Sequence, residues 1–273
     1  MPSVKPQKPR SGVVITIDGP AGAGKSTVAK RLAKELGYAY LDTGAMYRAL
    51  TVKALRLKVK LDDEQALIKL AEQTTIDFQF LDVCSSKSSK FQKANVEILT
   101  TTDDSGKGKV NDQGQPLTVL LDGLDVTEEI RSEEVTKNTF YIARAPGVRE
   151  IMVNWQRQIG EKNNIVVEGR DTGTVVFPKA TRKFYLDADF EERSQRRIKE
   201  LQGKGLPVNG EELKVELQTR DNKDFSRSVG PLKKADDAIL IDSTFLTIDE
   251  VVSKILVHLR GVATPRRWRN GFK

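Results

Sequence analysis

Val13-Val14-Ile15-Thr16-Ile17-Asp18-Gly19-Pro20-Ala21-Gly22-Ala23-Gly24-Lys25-Ser26-Thr27 is the stretch that decides the fold. Its first five residues are apolar or β-branched and read as a strand buried in a parallel sheet. Gly19 to Ser26 then fits G-x-x-x-x-G-K-S/T without a gap. In such a loop the glycines let the backbone curl so that successive N–H groups point inward at phosphates. The lysine reaches the β/γ oxygens, and the hydroxyl is free to ligate Mg²⁺. Residues 26–36 follow as a helix with Val28, Ala29, Leu32, Ala33 and Leu36 at helical spacing, ended by Gly37. The positive end of that helix adds to anion binding. Strand, loop and helix in this order separate a phosphate loop from a Gly-rich turn. The expected ATP contacts are Gly19, Pro20, Ala21, Gly22, Ala23, Gly24, Lys25, Ser26 and Thr27, with Ser26 as the direct Mg²⁺ ligand.

Working outward, residues 38–41 read as a second strand and 43–57 as a second helix, capped by Thr43 or Asp42. Strand–helix–strand–helix predicts a right-handed crossover and a parallel sheet. The pattern changes near residue 76. Ile76, Phe78 and Phe80 alternate with Asp77 and Gln79, as in a half-exposed antiparallel strand. Residues 96–99 and 117–121 are candidate partners, separated by the polar stretches 85–93 and 102–115. Asp122-Gly123 supplies a tight turn before residues 124–126. Beyond it, Pro146 opens a helix over 147–159. Strands are expected at 165–167, 183–186 and 238–241, and helices at 190–201, 211–221 and 248–259. The segment 202–210, with Gly203, Gly205 and Gly210, reads as a hinge. The expected fold is α/β, a three-layer P-loop kinase architecture on a five-stranded parallel sheet. Its core spans 11–75 and 127–260. An antiparallel β module is inserted at 76–126, and a helical lid covers about 202–227.

Composition narrows the function classes. The chain has 273 residues, 30% charged and 38% hydrophobic, and one cysteine, Cys84, so an internal disulfide is impossible. No apolar run approaches the roughly 20 residues of a membrane helix, and 1–10 lacks the apolar centre of a secretory signal. These features favour a cytoplasmic protein. The net charge is +7, but it sits in the tails. Of 45 basic residues, eight (Lys5, Lys8, Arg10, Arg260, Arg266, Arg267, Arg269 and Lys273) lie in 1–10 and 260–273. That leaves a body with 37 basic against 38 acidic residues. Basic tails of this kind argue for solvated ends rather than a specific nucleic-acid surface. A guanine-reading N-K-x-D is missing, since Asn222-Lys223 continues Asp224-Phe225. What fits is a small-molecule kinase.

An acceptor site should then lie past the carboxyl ends of the strands. Four polar clusters qualify: 42–48, 144–149, 168–174 and 220–227. Here the sequence closely resembles the bacterial cytidylate kinase (CMP/dCMP kinase) family. The resemblance rests on residues 15–20 leading into the phosphate loop, on Asp42-Thr43-Gly44 with Tyr47-Arg48, on Glu128-Glu129-Ile130-Arg131, on Glu168-Gly169-Arg170-Asp171 with residues 173–178, and on residues 228–242, in family order. It implies that Thr43, Tyr47 and Arg48 contact CMP. It further implies that Arg149 and Arg170 hold the acceptor phosphate, that Asp171 lies beside the ribose, and that Arg220 and Arg227 belong to the lid and nucleotide site. Lys25, Arg170, Asp171 and Arg220 are the implied catalytic set. The family's cytosine-contacting serine corresponds to Phe140 here, with Thr139 adjacent.

The residue chemistry agrees. Paired guanidinium groups clamp a phosphate dianion with forked, charge-assisted bonds. Glu168 or Asp171, ending a buried strand, could order Mg²⁺ through water. Arg170 and Asp171 could alternatively be only a mutual ion pair, and Tyr47 only core. One of Arg193, Arg196 and Arg197 is expected to face ATP, while His258 reads as structural. The expected reaction is ATP-dependent phosphorylation of CMP and dCMP by a monomer. The alternatives are a P-loop kinase of another nucleotide such as UMP, or of a hydroxyl metabolite, and an ATP-regulated nucleic-acid binder.

Overall fold

The structure is a computed structural model. It describes residues 12–81, 98–101, 118–203 and 205–260. Residues 1–10 and 261–273 of the basic tails, the polar stretches 85–93 and 102–115, and Cys84 lie outside the described residues. Strands β1 (Val14–Asp18), β2 (Ala39–Asp42), β7 (Ile165–Gly169), β8 (Arg182–Asp187) and β9 (Ile239–Asp242) form a five-stranded sheet in the order β2-β7-β1-β8-β9. Every pairing in it is parallel. β1 is central and buried along its whole length, as its continuous apolar run requires.

Side-chain alternation sorts the layers. Ile15, Ile17 and their register mates Val166 and Glu168 point to the face covered by α1 (Lys25–Leu36) and α8 (Ile248–His258). Thr16 and Asp18 point to the other face. It is covered by α2 (Thr43–Arg56), α5 (Pro146–Lys162) and a single π-helical turn, Thr172–Val176. Outside this layer lie α3 (Glu64–Glu72) and α4 (Glu133–Arg144). Helices α6 (Phe190–Gly203) and α7 (Gly210–Ser226) pack on each other.

The smaller sheet joins β3 (Ile76–Leu81), β4 (Ile98–Thr101), β5 (Thr118–Leu121) and β6 (Leu124–Asp125) in the order β4-β3-β5-β6. β3, β5 and β6 are antiparallel as expected. The β5–β6 turn is Asp122-Gly123, both at positive φ (49° and 82°), the twist a two-residue hairpin demands. β4 differs, because it runs parallel to β3. Parallel neighbours need a long connection, and the stretch 82–97 supplies the length. The sequence reading also missed α3. Its signals are the Asp63 carboxylate accepting from Ala66 N at 3.0 Å and the helical spacing of buried Leu67, Leu70 and Ala71.

Three local constraints aim the loops. Asp42, not Thr43, caps α2, accepting from Ala45 N at 2.9 Å. Gly19 turns the chain off β1 at φ 151°, where a Cβ would stand 1.9 Å from the Leu186 carbonyl oxygen. Asp18 accepts from Thr172 N (2.9 Å), Thr172 Oγ1 (2.8 Å) and Gly173 N (2.7 Å), which fastens the π turn to the sheet. Among the described residues no helix is long and apolar enough to cross a membrane. Because Gly19 is boxed in by backbone, Gly19→Ala is expected to cost at least about 1 kcal/mol of stability. A urea unfolding midpoint equal to wild type would contradict that.

Candidate active site

The phosphate loop, the Asp42–Arg48 segment, the turn after β7 and the C-terminal half of α7 converge beyond the carboxyl ends of the sheet. Gly22 and Gly24 sit at φ 78° and 87°, and Gly24 caps α1, so the loop curls as its glycines predict. Lys25 is buried and folds back to donate to the Pro20 carbonyl at 2.6 Å. Burial, with Arg170 and Arg220 nearby, pushes its ammonium down to about 7. Ser26 Oγ donates to Glu168 Oε2 at 2.8 Å, and Tyr40 OH donates to Glu168 Oε1. Burial and the neighbouring Asp42 carboxylate push Glu168 above the ordinary carboxylate range. Thr43 Oγ1 donates to the Glu168 carbonyl at 2.8 Å, which stitches β2 to β7.

The guanidinium groups form a second layer. Arg48 Nη2 donates to Asp42 Oδ2 at 2.8 Å, while its buried Nε has no partner. Arg149 is buried, pairs with Asp171, donates to the Ala143 carbonyl at 3.2 Å and lies 5.6 Å from the Tyr47 ring centre. Tyr47 is part of the buried core, and burial with Asp171 nearby pushes its phenol up to about 12. Arg170 turns away from its neighbour Asp171 and donates from Nε to Asp224 Oδ2 of α7 at 2.7 Å. The simple Arg170–Asp171 ion pair is therefore not formed, and each partner is engaged elsewhere. Arg227 lies 3.5 Å from Asp224 Oδ1, with its Nε and Nη2 lacking hydrogen-bond acceptors. Burial alone would raise the Asp224 carboxyl, but Arg170, Arg227 and Arg220 outweigh it and hold it low. Arg220 is reachable by solvent. The surrounding protein and the like charge of Arg170 push it down to about 10, so it stays charged at neutral pH.

Cations thus outnumber carboxylates here, and several buried donors are unmet. Buried donors without partners are costly, and an anion with several oxygens would satisfy them. Glu168 lies beside the loop serine and Asp171 does not, which separates the two candidates for ordering a cation. Arg193 is the member of its trio that meets the phosphate loop, donating to the Ala21 carbonyl at 2.9 Å. Arg196 pairs with Glu192 and Arg197 with Glu200. Phe140 is half-buried on α4. Arg144 and, from α7, Lys223 lie 5.5 and 5.0 Å from its ring centre. The Thr139 hydroxyl is taken up inside the fold, donating to the Val135 carbonyl at 2.6 Å and meeting Thr51 Oγ1 at 3.3 Å.

Sequence reasoning assigned no role to Tyr40, Asp18 or Asp221, and none to Asp224 individually. For Asp224 a signal existed: residues 220, 224 and 227 share one helical face. Tyr40 and Asp18 sit inside short strand runs, where nothing local marks a polar partner.

The protein-family model described as cytidylate kinase matches residues 15–260. Curated cytidylate kinases align over nearly the whole chain. That of Desulforamulus reducens is 48% identical over 242 residues, covering 89% of this chain and 94% of the relative. That of Geobacillus sp. is 47% identical over 247 residues, covering 90% and 96%. That of Aeromonas salmonicida is 41% identical over 250 residues, covering 92% and 95%.

Proposed function

The chain belongs to the cytidylate kinase family, and on that premise we propose how its residues divide the work of phosphorylating CMP with ATP. The observation that carries the proposal is the meeting of the phosphate loop with a layer of buried, partly unmet guanidinium groups at one end of the sheet. One cradle suits the ATP triphosphate and the other an acceptor that already bears a phosphate. Residues 19–27 hold ATP. Thr43, Tyr47, Arg48, Arg149, Arg170, Asp171, Arg220 and Arg227 line the acceptor side, for CMP and dCMP. The smaller sheet within 76–126 forms the acceptor-side wall, and residues of about 202–227 act as the lid.

Transfer is in line, from the γ-phosphorus to an oxygen of the CMP phosphate. That oxygen is already ionised, so no strong base is required, and the barrier falls by positioning and charge stabilisation. Lys25, Arg170 and Arg220 face the region where charge spreads over the transferring group. Arg149 and Arg227 hold the acceptor phosphate, and closure of α7 excludes water. The Ser26 and Glu168 oxygens fit a hard cation, because Ser26 gives its proton to Glu168 and keeps its lone pairs outward. Mg²⁺ held by Ser26 directly and by Glu168 through water would supply neutralisation of the β/γ oxygens.

Lys25→Ala is expected to lose about 2–4 kcal/mol of transition-state stabilisation. Steady-state ADP release measures it, and near-unchanged turnover would sink the assignment. The low Lys25 ammonium gives a linked proton. In the empty enzyme the amine is mostly neutral at pH 8 and mostly charged at pH 6, with a midpoint of about 7. Phosphate oxygens favour the charged form and raise that midpoint. ATP binding should therefore take up more protons at pH 8 than at pH 6. Calorimetry in buffers of different ionisation enthalpy reads this directly, and Lys25→Ala should abolish it.

Base selection is tested with CMP, dCMP, UMP, AMP and shikimate as separate acceptors. Phe140 offers a ring and no hydrogen bond, so Phe140→Ser is expected to widen the kcat/KM preference for CMP over UMP by on the order of tenfold. An unchanged ratio would remove Phe140 from the base pocket, and turnover of shikimate with none of CMP would overturn the acceptor assignment.

A further inference from the structure

Asp221 lies on α7, next in sequence to Arg220, and is 2% exposed. Its Oδ1 accepts from Ala21 N in the phosphate loop at 3.2 Å. Its Oδ2 pairs with Arg193 of α6, itself only 8% exposed. Arg193 closes the circuit by donating from Nη1 to the Ala21 carbonyl at 2.9 Å and from Nε to the Ala188 carbonyl at 3.1 Å. Gly22 leaves room for this, since a Cβ there would stand 2.9 Å from the Arg193 carbonyl oxygen. A carboxylate on α7, a guanidinium on α6 and both backbone groups of one loop residue thus form a closed, buried ring.

We infer that Asp221 and Arg193 are positioning residues that lock α7 to the tip of the phosphate loop and thereby set the direction in which Arg220 points. Neither side chain is needed to touch a nucleotide. Residues 220 and 221 are about 100° apart around a helix. The rotation of α7 that frees Asp221 from Ala21 therefore swings Arg220 off the phosphates. A displacement near 1 Å at a charge-stabilising group costs on the order of 100-fold in rate. The clamp also ties the lid to the loop that holds ATP, so α7 reads the state of that loop through Ala21.

This inference rests on the role proposed for Arg220, and the experiment separates the two. Asp221→Asn keeps an acceptor for Ala21 N and removes the ion pair. Its kcat is expected to fall on the order of 10- to 100-fold, and the KM for CMP, whose side Arg220 also lines, to rise by a smaller factor than kcat falls. In an Arg220→Ala background the same change should cost less than about twofold, since Asp221 acts through Arg220. Asp221→Asn leaves Arg193 charged and buried, which destabilises the fold. The double variant Asp221→Asn/Arg193→Gln removes both charges and serves as the second probe in both backgrounds, with folding checked by circular dichroism. Arg193→Lys keeps the charge without the Ala21 and Ala188 bonds and should lose rate like Asp221→Asn. Equal losses in both backgrounds, or no loss in the wild-type background, overturn the inference. An Arg220→Ala enzyme at full turnover overturns the role of Arg220 and this inference with it.

Discussion

One buried carboxylate, that of Asp18, holds the end of the central strand to the turn that carries Arg170 and Asp171. It accepts three hydrogen bonds from that turn. Burial nevertheless pushes its carboxyl above the ordinary value, because an ionised carboxylate is costly to bury. The exchange is worthwhile because the turn cannot be an ordinary strand-to-helix connection. It must present two neighbouring side chains in opposite senses, Arg170 toward α7 and Asp171 toward α5. The π turn does this, and Asp18 fixes its first peptides. Gly169 belongs to the same device, since a Cβ there would stand 2.6 Å from Thr43 Oγ1 and 2.5 Å from Thr172 Cγ2.

From that anchor the charges arrange themselves in pairs. Glu168 steadies the serine of the phosphate loop and the Tyr40 phenol. Asp42 serves both as the cap of α2 and as the partner of Arg48. Asp171 and Asp224 each take a guanidinium from a different helix. A layer of like charges at the end of a sheet would otherwise be self-repelling. These carboxylates lower that cost while leaving donors such as Arg149 Nε and Arg227 Nε unspent.

How much of this was legible in the sequence depends on the range of the interaction. The phosphate loop is contiguous, so its strand, glycines and helix could be read from 15 residues in a row. All five core strands and the main helices followed from apolar runs and helical spacing. The acceptor residues were reached by family resemblance, because Thr43, Arg149 and Arg170 carry no local mark of convergence. The Ala21–Asp221 contact joins residues 200 apart in sequence, and no periodicity encodes it. The direction of β4 was equally hidden, since a strand's own pattern is the same whether its neighbour runs with it or against it. The alternative reading, that Arg170 and Asp171 pair only with each other, shows the same limit. Adjacency in sequence is not adjacency of side chains when the backbone between them turns.

The pairing of Arg170 and Arg227 with a single carboxylate of α7, Asp224, has a consequence for any phosphate this layer accepts. Such a phosphate would not enter an empty positive hole. It would compete with a carboxylate already in place, so binding would be an exchange of one anion for another. The same carboxylate would take both guanidinium groups back when the phosphate leaves. A site built only of unpaired cations would grip a diphosphate tightly and release it slowly. With its own surrogate anion on α7, this layer would trade one anion for another at each step rather than expose bare charge.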